Sequence, residues 1–173
     1  MTEATRTIDA LDRDHPQATN GAAWELIEDR VMGGVSSATM SRETVAGRPA
    51  LRMRGEVSLE NGGGFVQVAL DLAPDGGAID ASDWSGIEID VRGEDERYNL
   101  HLRTADVLRP WQSYRAEFAA TPEWRSVRLP FDGFEPHRIE APFDTTRLRR
   151  LGVVAIGRPF VADVAIGGLR FFR

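Results

Sequence analysis

The sequence predicts an all-β fold, a sandwich or a barrel, and two observations carry that prediction. Short runs with strand character recur along the chain, and turn signals at 46–49, 74–77, 132–133 and 157–159 separate them. Apart from a turn at 145–150, no segment has the helical period of about 3.6 residues. Short strands at this spacing are typical of sandwiches and barrels, whereas a βαβ fold would place helices between them.

The individual strands follow from local patterns. In the clearest one, Ile87, Ile89 and Val91 alternate with charged residues, and this period of two buries one face of a strand and exposes the other. The run 151–156 is apolar throughout, which predicts a central strand covered on both sides. The predicted strands are 24–27, 38–42, 50–57, 65–70, 86–92, 98–104, 112–118, 125–129, 151–156 and 168–172.

The chain is predicted to form a single domain behind a short tail. Residues 1–20 are polar with little periodicity, and we expect a tail that is partly disordered or lies across the sheet. Residues 21–173 show neither an internal repeat nor a change of composition, so we assign them to one β-sandwich domain. A chain of 173 residues is long enough to bury roughly 70% of its unfolded surface.

The composition excludes several kinds of function. The chain has no cysteine, and its 21 basic residues are all arginine, so thiolate chemistry, Schiff-base chemistry and a phosphate-binding lysine are ruled out. A formal net charge of -6 argues against a nucleic-acid binder, which needs a basic face. No run approaches the ~20 apolar residues of a transmembrane segment, and the first residues lack a signal core, so a cytoplasmic protein is expected.

No catalytic residue, metal or organic cofactor is predicted. His15, His101 and His137 are scattered without the spacing of zinc ligands, and we interpret them as surface or turn residues. Calcium held by loop oxygens is the one exception left open. Ser36 stands in a Gly-x-Ser pattern that lacks the last glycine of a nucleophile elbow, and we expect it to cap a turn.

Two loops rich in glycine flank predicted strands and carry the first candidate binding residues. In the loop 29–37, Asp29 and Arg30 form either an ion pair that stabilises the loop or, with Ser36, part of a site. The loop therefore leaves a structural and a functional interpretation open.

The second loop, 58–65, offers the same choice. Glu60 and Asn61 either hydrogen-bond the hydroxyl groups of a ligand or satisfy the backbone of the turn. The glycines at 62–64 form either a backbone nest for an anion or a tight crossover between two sheets.

Four further candidates surround the predicted strand 112–118. The period of two places Gln112 and Tyr114 on one strand face, with Trp111 before them and Arg103 opposite on the preceding strand. An aromatic ring, an amide and a guanidinium on one concave sheet face would suit a carbohydrate or a carboxylate. Alternatively, Trp111 and Tyr114 are core aromatics, and Arg103 stacks over one of them.

The two loops and four later segments, in this order, resemble the signatures of the complex I intermediate-associated protein family. The resemblance begins near Trp24 and continues to the C-terminus. The chain departs from the family pattern at Gly62 and at 67–69. The four later segments are Val-Arg-Gly-Glu-Asp-Glu-Arg-Tyr at 91–98, Leu-Arg-Thr at 102–104 with Trp-Gln-Ser-Tyr at 111–114, Trp124 with Val-Arg-Leu-Pro-Phe at 127–131, and Phe-Glu-Pro at 134–136.

The resemblance implies a two-sheet jelly-roll sandwich similar to galactose-binding domains and carbohydrate-binding modules. It implies an assembly or chaperone module that engages a protein client, such as a respiratory-complex subunit, through a concave sheet face. A module for carbohydrates or small polar molecules is the alternative, and an enzyme is favoured less, since it would need Glu56, Glu60 or Asp90 paired in one cleft. We expect the binding residues to converge on one sheet face and its rim; they are Asp29, Arg30, Ser36, Glu60, Asn61, Arg103, Trp111, Gln112 and Tyr114.

Overall fold

The computed structural model of the chain describes residues 4–62 and 64–173. A strand content of 57% and a helix content of 6% confirm the predicted all-β fold. The described strands are β1 (Thr5–Asp9), β2 (Glu25–Glu28), β3 (Ser37–Val45), β4 (Arg48–Val57), β5 (Phe65–Asp71), β6 (Gly86–Gly93), β7 (Glu96–Thr104), β8 (Ser113–Ala120), β9 (Arg125–Pro130), β10 (Glu135–His137), β11 (Leu148–Ile156) and β12 (Phe160–Phe172). Short 3-10 helices lie at Asp29–Met32, Glu60–Gly62, Phe131–Gly133 and Thr145–Arg147.

The strands form two antiparallel six-stranded sheets. The first sheet has the order β3-β4-β12-β6-β9, and β1 joins it by pairing with the C-terminal half of β12. The second sheet has the order β10-β8-β7-β11-β5-β2. Two sheets of this kind make the sandwich that the sequence predicted, and they leave each sheet with one outer face.

The core lies between the sheets and is built by the alternation of each strand. On β6, Ile87, Ile89 and Val91 are fully buried, and Leu100 and Leu102 of β7 lie in the same cluster. Burying one side chain of this size stabilises the fold by about 1.5–3 kcal/mol. The same alternation directs the remaining residues of each strand to an outer face, where a site can be built.

All ten predicted strands are present, and β11 is central as predicted, between β7 and β5. The sequence did not indicate β1, β10 or the first half of β12. Part of the expected polar tail is strand β1, in which Ile8 is buried. A strand with one apolar residue gives too weak an alternation to be recognised.

The outer face of the first sheet is an ion-pair network. Glu88 and Asp90 of β6 both bind Arg170 of β12, and Asp90 also lies 3.1 Å from Arg48. Burial acts to raise the pKa of Asp90, but hydrogen bonds from Arg170, Ser126 and Arg48 outweigh it and bring that pKa to about 2. Carboxylates and guanidinium groups therefore neutralise one another on this face.

Within the two described ranges, no helix is long and apolar enough to cross a membrane.

Candidate functional site

The two glycine loops meet at a buried carboxylate. Asp29 is fully buried, and its Oδ1 accepts a hydrogen bond from the Ser36 amide at 2.9 Å. Its Oδ2 accepts from the Ser36 hydroxyl at 2.5 Å and from the Gly64 amide at 2.6 Å. Burial acts to raise the pKa of Asp29, but the hydrogen bonds from Ser36, Gly64 and Phe65 lower it overall. Asp29 thus holds one loop against the other.

Glycine is required beside this carboxylate. A Cβ added to Gly34 would lie 2.5 Å from the Asp29 Cγ, closer than any tolerable contact. Ser36 is also fully buried, and its hydroxyl accepts a hydrogen bond from the Ser58 amide at 2.8 Å, as a capping residue would. Asp29 and Ser36 therefore lie inside the loop junction and not on its surface, contrary to the expectation that they face a ligand.

The other loop candidates lie outside this junction. Arg30, Glu60 and Asn61 are exposed, and the oxygens of Asp29 are occupied by hydroxyl and amide donors instead of the Arg30 side chain. Asn61 has a φ of 57°, a left-handed conformation that asparagine adopts more readily than most residues. The nest proposed at 62–64 includes residue 63, which lies outside the described residues.

A groove of about 730 Å3 lies on the outer face of the second sheet. Its floor is centred on Gly152 of β11, which pairs with Ala69 of β5 on one side and with His101 of β7 on the other. A Cβ on Gly152 would lie 2.5 Å from the Gln67 Oε1, so this glycine leaves room for the glutamine side chain. A cleft of this volume is in the range that holds small ligands or short segments of chain.

The groove has two chemically different halves. Along β11 the outward residues run from Ile156 and Val154 through Gly152 to Arg150. The apolar half comprises Ile27, Leu59, Phe65, Val154 and Ile156. The basic half comprises His101, Arg103, Arg115, His137, Arg138, Arg149 and Arg150.

Three predicted site residues come together at the groove. The Arg103 guanidinium donates to the carbonyl oxygens of Arg109, Pro110 and Gln112, each at 3.3 Å, and so supports the turn before β8. The Gln112 Nε2 donates to the Arg138 carbonyl at 3.1 Å. Trp111 is 50% exposed in this turn and lines the groove. Arg103, Trp111 and Gln112 therefore share one surface.

The prediction that Tyr114 shares a face with Gln112 is wrong. Tyr114 is fully buried, its ring stacks on Phe143 at 4.7 Å, and its hydroxyl donates to the Ala141 carbonyl at 2.6 Å. Strand β8 begins at Ser113, so Gln112 belongs to the turn, where the period of two does not apply. The core alternative is correct for Tyr114 and incorrect for the half-exposed Trp111.

Sequence reasoning missed the residue at the centre of the basic half. His101, interpreted as a surface or turn residue, is only 9% exposed, and its Nε2 has no hydrogen-bond partner among the described residues. Burial, with smaller contributions from Arg115, His137 and Arg103, lowers the pKa of His101 to about 3, so the imidazole is neutral near pH 7. The sequence did contain one indication of this position: His101 lies two residues before Arg103 on β7, so the two side chains point to the same face of the strand.

The pKa values of two groove arginines, Arg103 and Arg115, are also lowered. Burial, followed by Arg150 and Arg149, lowers the pKa of Arg103. Burial and Arg138 do the same for the pKa of Arg115. Positive charge is therefore concentrated in a surface that has lost part of its water.

None of the carboxylates named for a possible enzyme, Glu56, Glu60 and Asp90, lines this groove. Asp90 lies in the ion pairs of the first sheet, and Glu60 lies in the glycine loop. In the part of the chain that the structure describes, no group of three or more histidine, aspartate or glutamate side chains could hold a metal ion.

A family model decides the relationship of the chain. The model of complex I intermediate-associated protein 30 matches residues 13–163. The chain belongs to this family. The resemblance inferred from the motifs is thereby confirmed. A comparison with curated proteins gave no match.

This member of the complex I intermediate-associated protein 30 family is similar in fold to carbohydrate-binding modules. A family 11 module from Clostridium thermocellum, in complex with a β-1,3-1,4-mixed-linked tetrasaccharide, matches with a TM-score of 0.74 at 10% identity over 99% of this chain and 96% of that chain. A family 30 module of a cellulosomal cellulase from the same organism matches with a TM-score of 0.63 at 15% identity over 97% of this chain and 96% of that chain. These likenesses confirm the galactose-binding-like jelly roll.

Proposed function

We propose that this chain is a non-catalytic binding module that holds a segment of a protein client in the groove of the second sheet. The groove over Ala69, Gly152 and His101 is the observation that carries the proposal, because it is a concave surface with apolar and charged parts. Membership of the complex I intermediate-associated protein 30 family favours a protein client, and a respiratory-complex subunit is the client we propose.

The chemistry of the groove supports binding over catalysis. Asp71 is the one carboxylate among the described lining residues, and it lies 2.8 Å from the Arg150 Nη1. A pKa of about 3 makes His101 a weak base near neutral pH. The lining thus offers hydrogen-bond donors and apolar contacts, and its acids and bases are ill matched to proton transfer.

A carbohydrate is the second candidate ligand. Trp111 presents a half-exposed ring at the edge of the groove, and sugars pack well on aromatic rings. The fold likeness to carbohydrate-binding modules also favours this candidate. The proposed client and the sugar would occupy the same surface.

The experiment compares two glycine variants in affinity capture from host-cell extract at native expression. Gly152→Val fills the floor of the groove, and Gly133→Val is the matched control, since a Cβ at Gly133 meets nothing within 4 Å. We expect the wild type and Gly133→Val to recover respiratory-complex subunits, and Gly152→Val to lose them while its melting curve stays cooperative. Equal recovery by both variants, or no subunit recovered by the wild type, would refute the proposal. If a mixed-linked tetrasaccharide binds to the wild type and no respiratory-complex subunit is recovered, the second candidate is favoured.

A further inference from the structure

The basic half of the groove carries positive charge that the protein does not neutralise. Five arginines line it, and the single lining carboxylate among the described residues, Asp71, is paired with Arg150. This concentration stands out in a chain whose net charge is -6. On the first sheet, by contrast, Arg52 binds both Glu43 and Asp163, and Arg170 binds two carboxylates.

Two half-buried arginines of the groove have neutral partners. Arg103 donates only to backbone carbonyl oxygens among the described groups, and the Arg115 Nε donates to the Ser113 hydroxyl at 2.9 Å. Arg103 and Arg150 are also direct cross-strand partners on β7 and β11. Like charges in this position repel each other, and partial burial removes the water that would screen them. An anion in the groove would relieve both effects.

His101 provides an independent observation. Its ring lies at the floor, nine-tenths buried, beside Gly152 and in register with Arg115, and its Nε2 has no partner within the described part of the chain. Buried polar atoms are nearly always hydrogen-bonded, so an unpartnered one facing a groove indicates where a ligand atom belongs. A neutral imidazole can donate from Nε2 to an oxygen acceptor.

We propose that the basic half is a carboxylate subsite that takes aspartate or glutamate side chains of an acidic client segment, while apolar side chains of the same segment pack on the apolar half. The inference rests on the proposed function, which makes the groove the client-binding surface. Arginine recognises carboxylates through two parallel hydrogen bonds, and Arg115 and Arg138 are the groove arginines to which we assign this geometry. The arginine and histidine side chains of this half are hydrogen-bond donors, and carboxylate oxygens are matching acceptors.

A peptide fits this surface better than an acidic saccharide. Ile156 and Arg150 lie six positions apart on β11, about 20 Å at the rise of a strand, so the groove spans roughly six extended residues. Over that length the lining changes from apolar to cationic. A peptide can change from apolar to acidic side chains in the same way, whereas a uronic-acid oligomer would place hydroxyl groups against Phe65, Val154 and Ile156.

The test measures binding of defined probes by fluorescence anisotropy at low salt. The main probe is a labelled octapeptide with four aspartate and glutamate residues followed by four leucine and valine residues. The second replaces the acids by asparagine and glutamine. Labelled oligogalacturonate and a labelled mixed-linked β-glucan tetrasaccharide are the third and fourth probes. Each probe is measured on the wild type, Arg115→Gln, Arg97→Gln and Gly152→Val. Arg97 is the matched control. It lies on the same face of β7 as His101 and Arg103, but it is paired with Glu117 and does not line the groove.

We expect the acidic peptide to bind the wild type at least about tenfold more tightly than the amide peptide, and this preference to shrink about tenfold in Arg115→Gln. Arg97→Gln should change the affinity by less than about twofold. Added salt should weaken binding of the acidic peptide to the wild type.

Each contrary result has its own meaning. Equal binding of both peptides, lost in Gly152→Val, would overturn the carboxylate subsite and leave the proposed function standing. Binding of oligogalacturonate without the acidic peptide would overturn the peptide as the source of the carboxylate. Binding of neither peptide and no oligogalacturonate at about 1 mM, whether or not the β-glucan binds, would overturn both the subsite and the protein client.

Discussion

The Asp29 carboxylate accepts hydrogen bonds from four donors, the hydroxyl and amide of Ser36 and the amides of Gly64 and Phe65. From the sequence, Asp29 beside Arg30 could be an ion pair or part of a site. The structure shows a third arrangement, in which the carboxylate ties together two loops that are remote in sequence. The sequence around Asp29 could not indicate this, because two of the four bonds, from the Gly64 and Phe65 amides, depend on how the loops meet.

Asp29→Asn should lower the free energy of unfolding by on the order of 3 kcal/mol. The amide would present an N–H group to donors that now bind a buried carboxylate, and hydrogen bonds to a charged group contribute about 1.5–3 kcal/mol each. Urea denaturation measures the change. Arg30→Ala is the control, since this side chain is exposed and its loss should change stability by less than about 0.5 kcal/mol. Equal stabilities for the two variants would show that Asp29 does not stabilise the fold by joining the two loops.

His101 should make the protein less stable as the pH falls from 7 to 5. Burial, Arg115, His137 and Arg103 hold the pKa of His101 at about 3, whereas an unfolded histidine has a pKa of about 6.5. Between these values the unfolded state binds one more proton than the folded state, so stability rises with pH. His101→Gln should therefore lose about 2 kcal/mol less than the wild type between pH 7 and 5 in urea denaturation. Parallel pH profiles of the two proteins would show that the imidazole titrates normally in the fold.

At the scale of elements, local apolar patterns identified ten strands correctly, because each of these strands places apolar side chains in the core or against it. These patterns failed at β1 and β10, which are short and have few apolar residues. They also failed at Gln112, which precedes the first residue of β8 and therefore does not follow the alternation of that strand. The site depends on something further. Arg103 lies beside Arg150 and His101 beside Arg115 through strand pairing, and local periodicity does not specify which strands pair or in which register.

Arg103 should hold the turn between β7 and β8 in place. Its guanidinium binds three carbonyl oxygens of this turn, so Arg103→Ala should speed backbone amide exchange in residues 105–112 while the exchange of β7 and β11 stays nearly unchanged. Hydrogen–deuterium exchange followed by mass spectrometry measures this directly. Arg97→Ala, on the same strand and outside the groove, should leave the turn as in the wild type. Exchange that rises throughout the second sheet would assign Arg103 to global stability instead.

For the whole molecule, the charges are separated between the two outer faces. The first sheet balances guanidinium groups with carboxylates, and the second concentrates arginine around a groove. A net charge of -6 gives no indication of this, because composition sums over both faces. The sequence could not predict the groove for the same reason, because its lining depends on which side chains the sheet places together.

A multivalent carboxylate should stabilise the whole protein through the basic half of the groove. An anion that binds only the folded state raises the free energy of unfolding by RT ln(1 + [L]/Kd), which is about 1.4 kcal/mol at ten times Kd and corresponds to a rise of about 3–6 °C in Tm for a chain of this size. We expect citrate to raise the Tm of the wild type and of Arg97→Gln above that found in sodium chloride of equal ionic strength. In Arg115→Gln most of this excess should disappear, because the general effect of citrate on protein hydration is the same for all three proteins and only the specific contact is lost. An equal rise in the three proteins would mean that the groove arginines do not bind carboxylates, whatever their local concentration of charge.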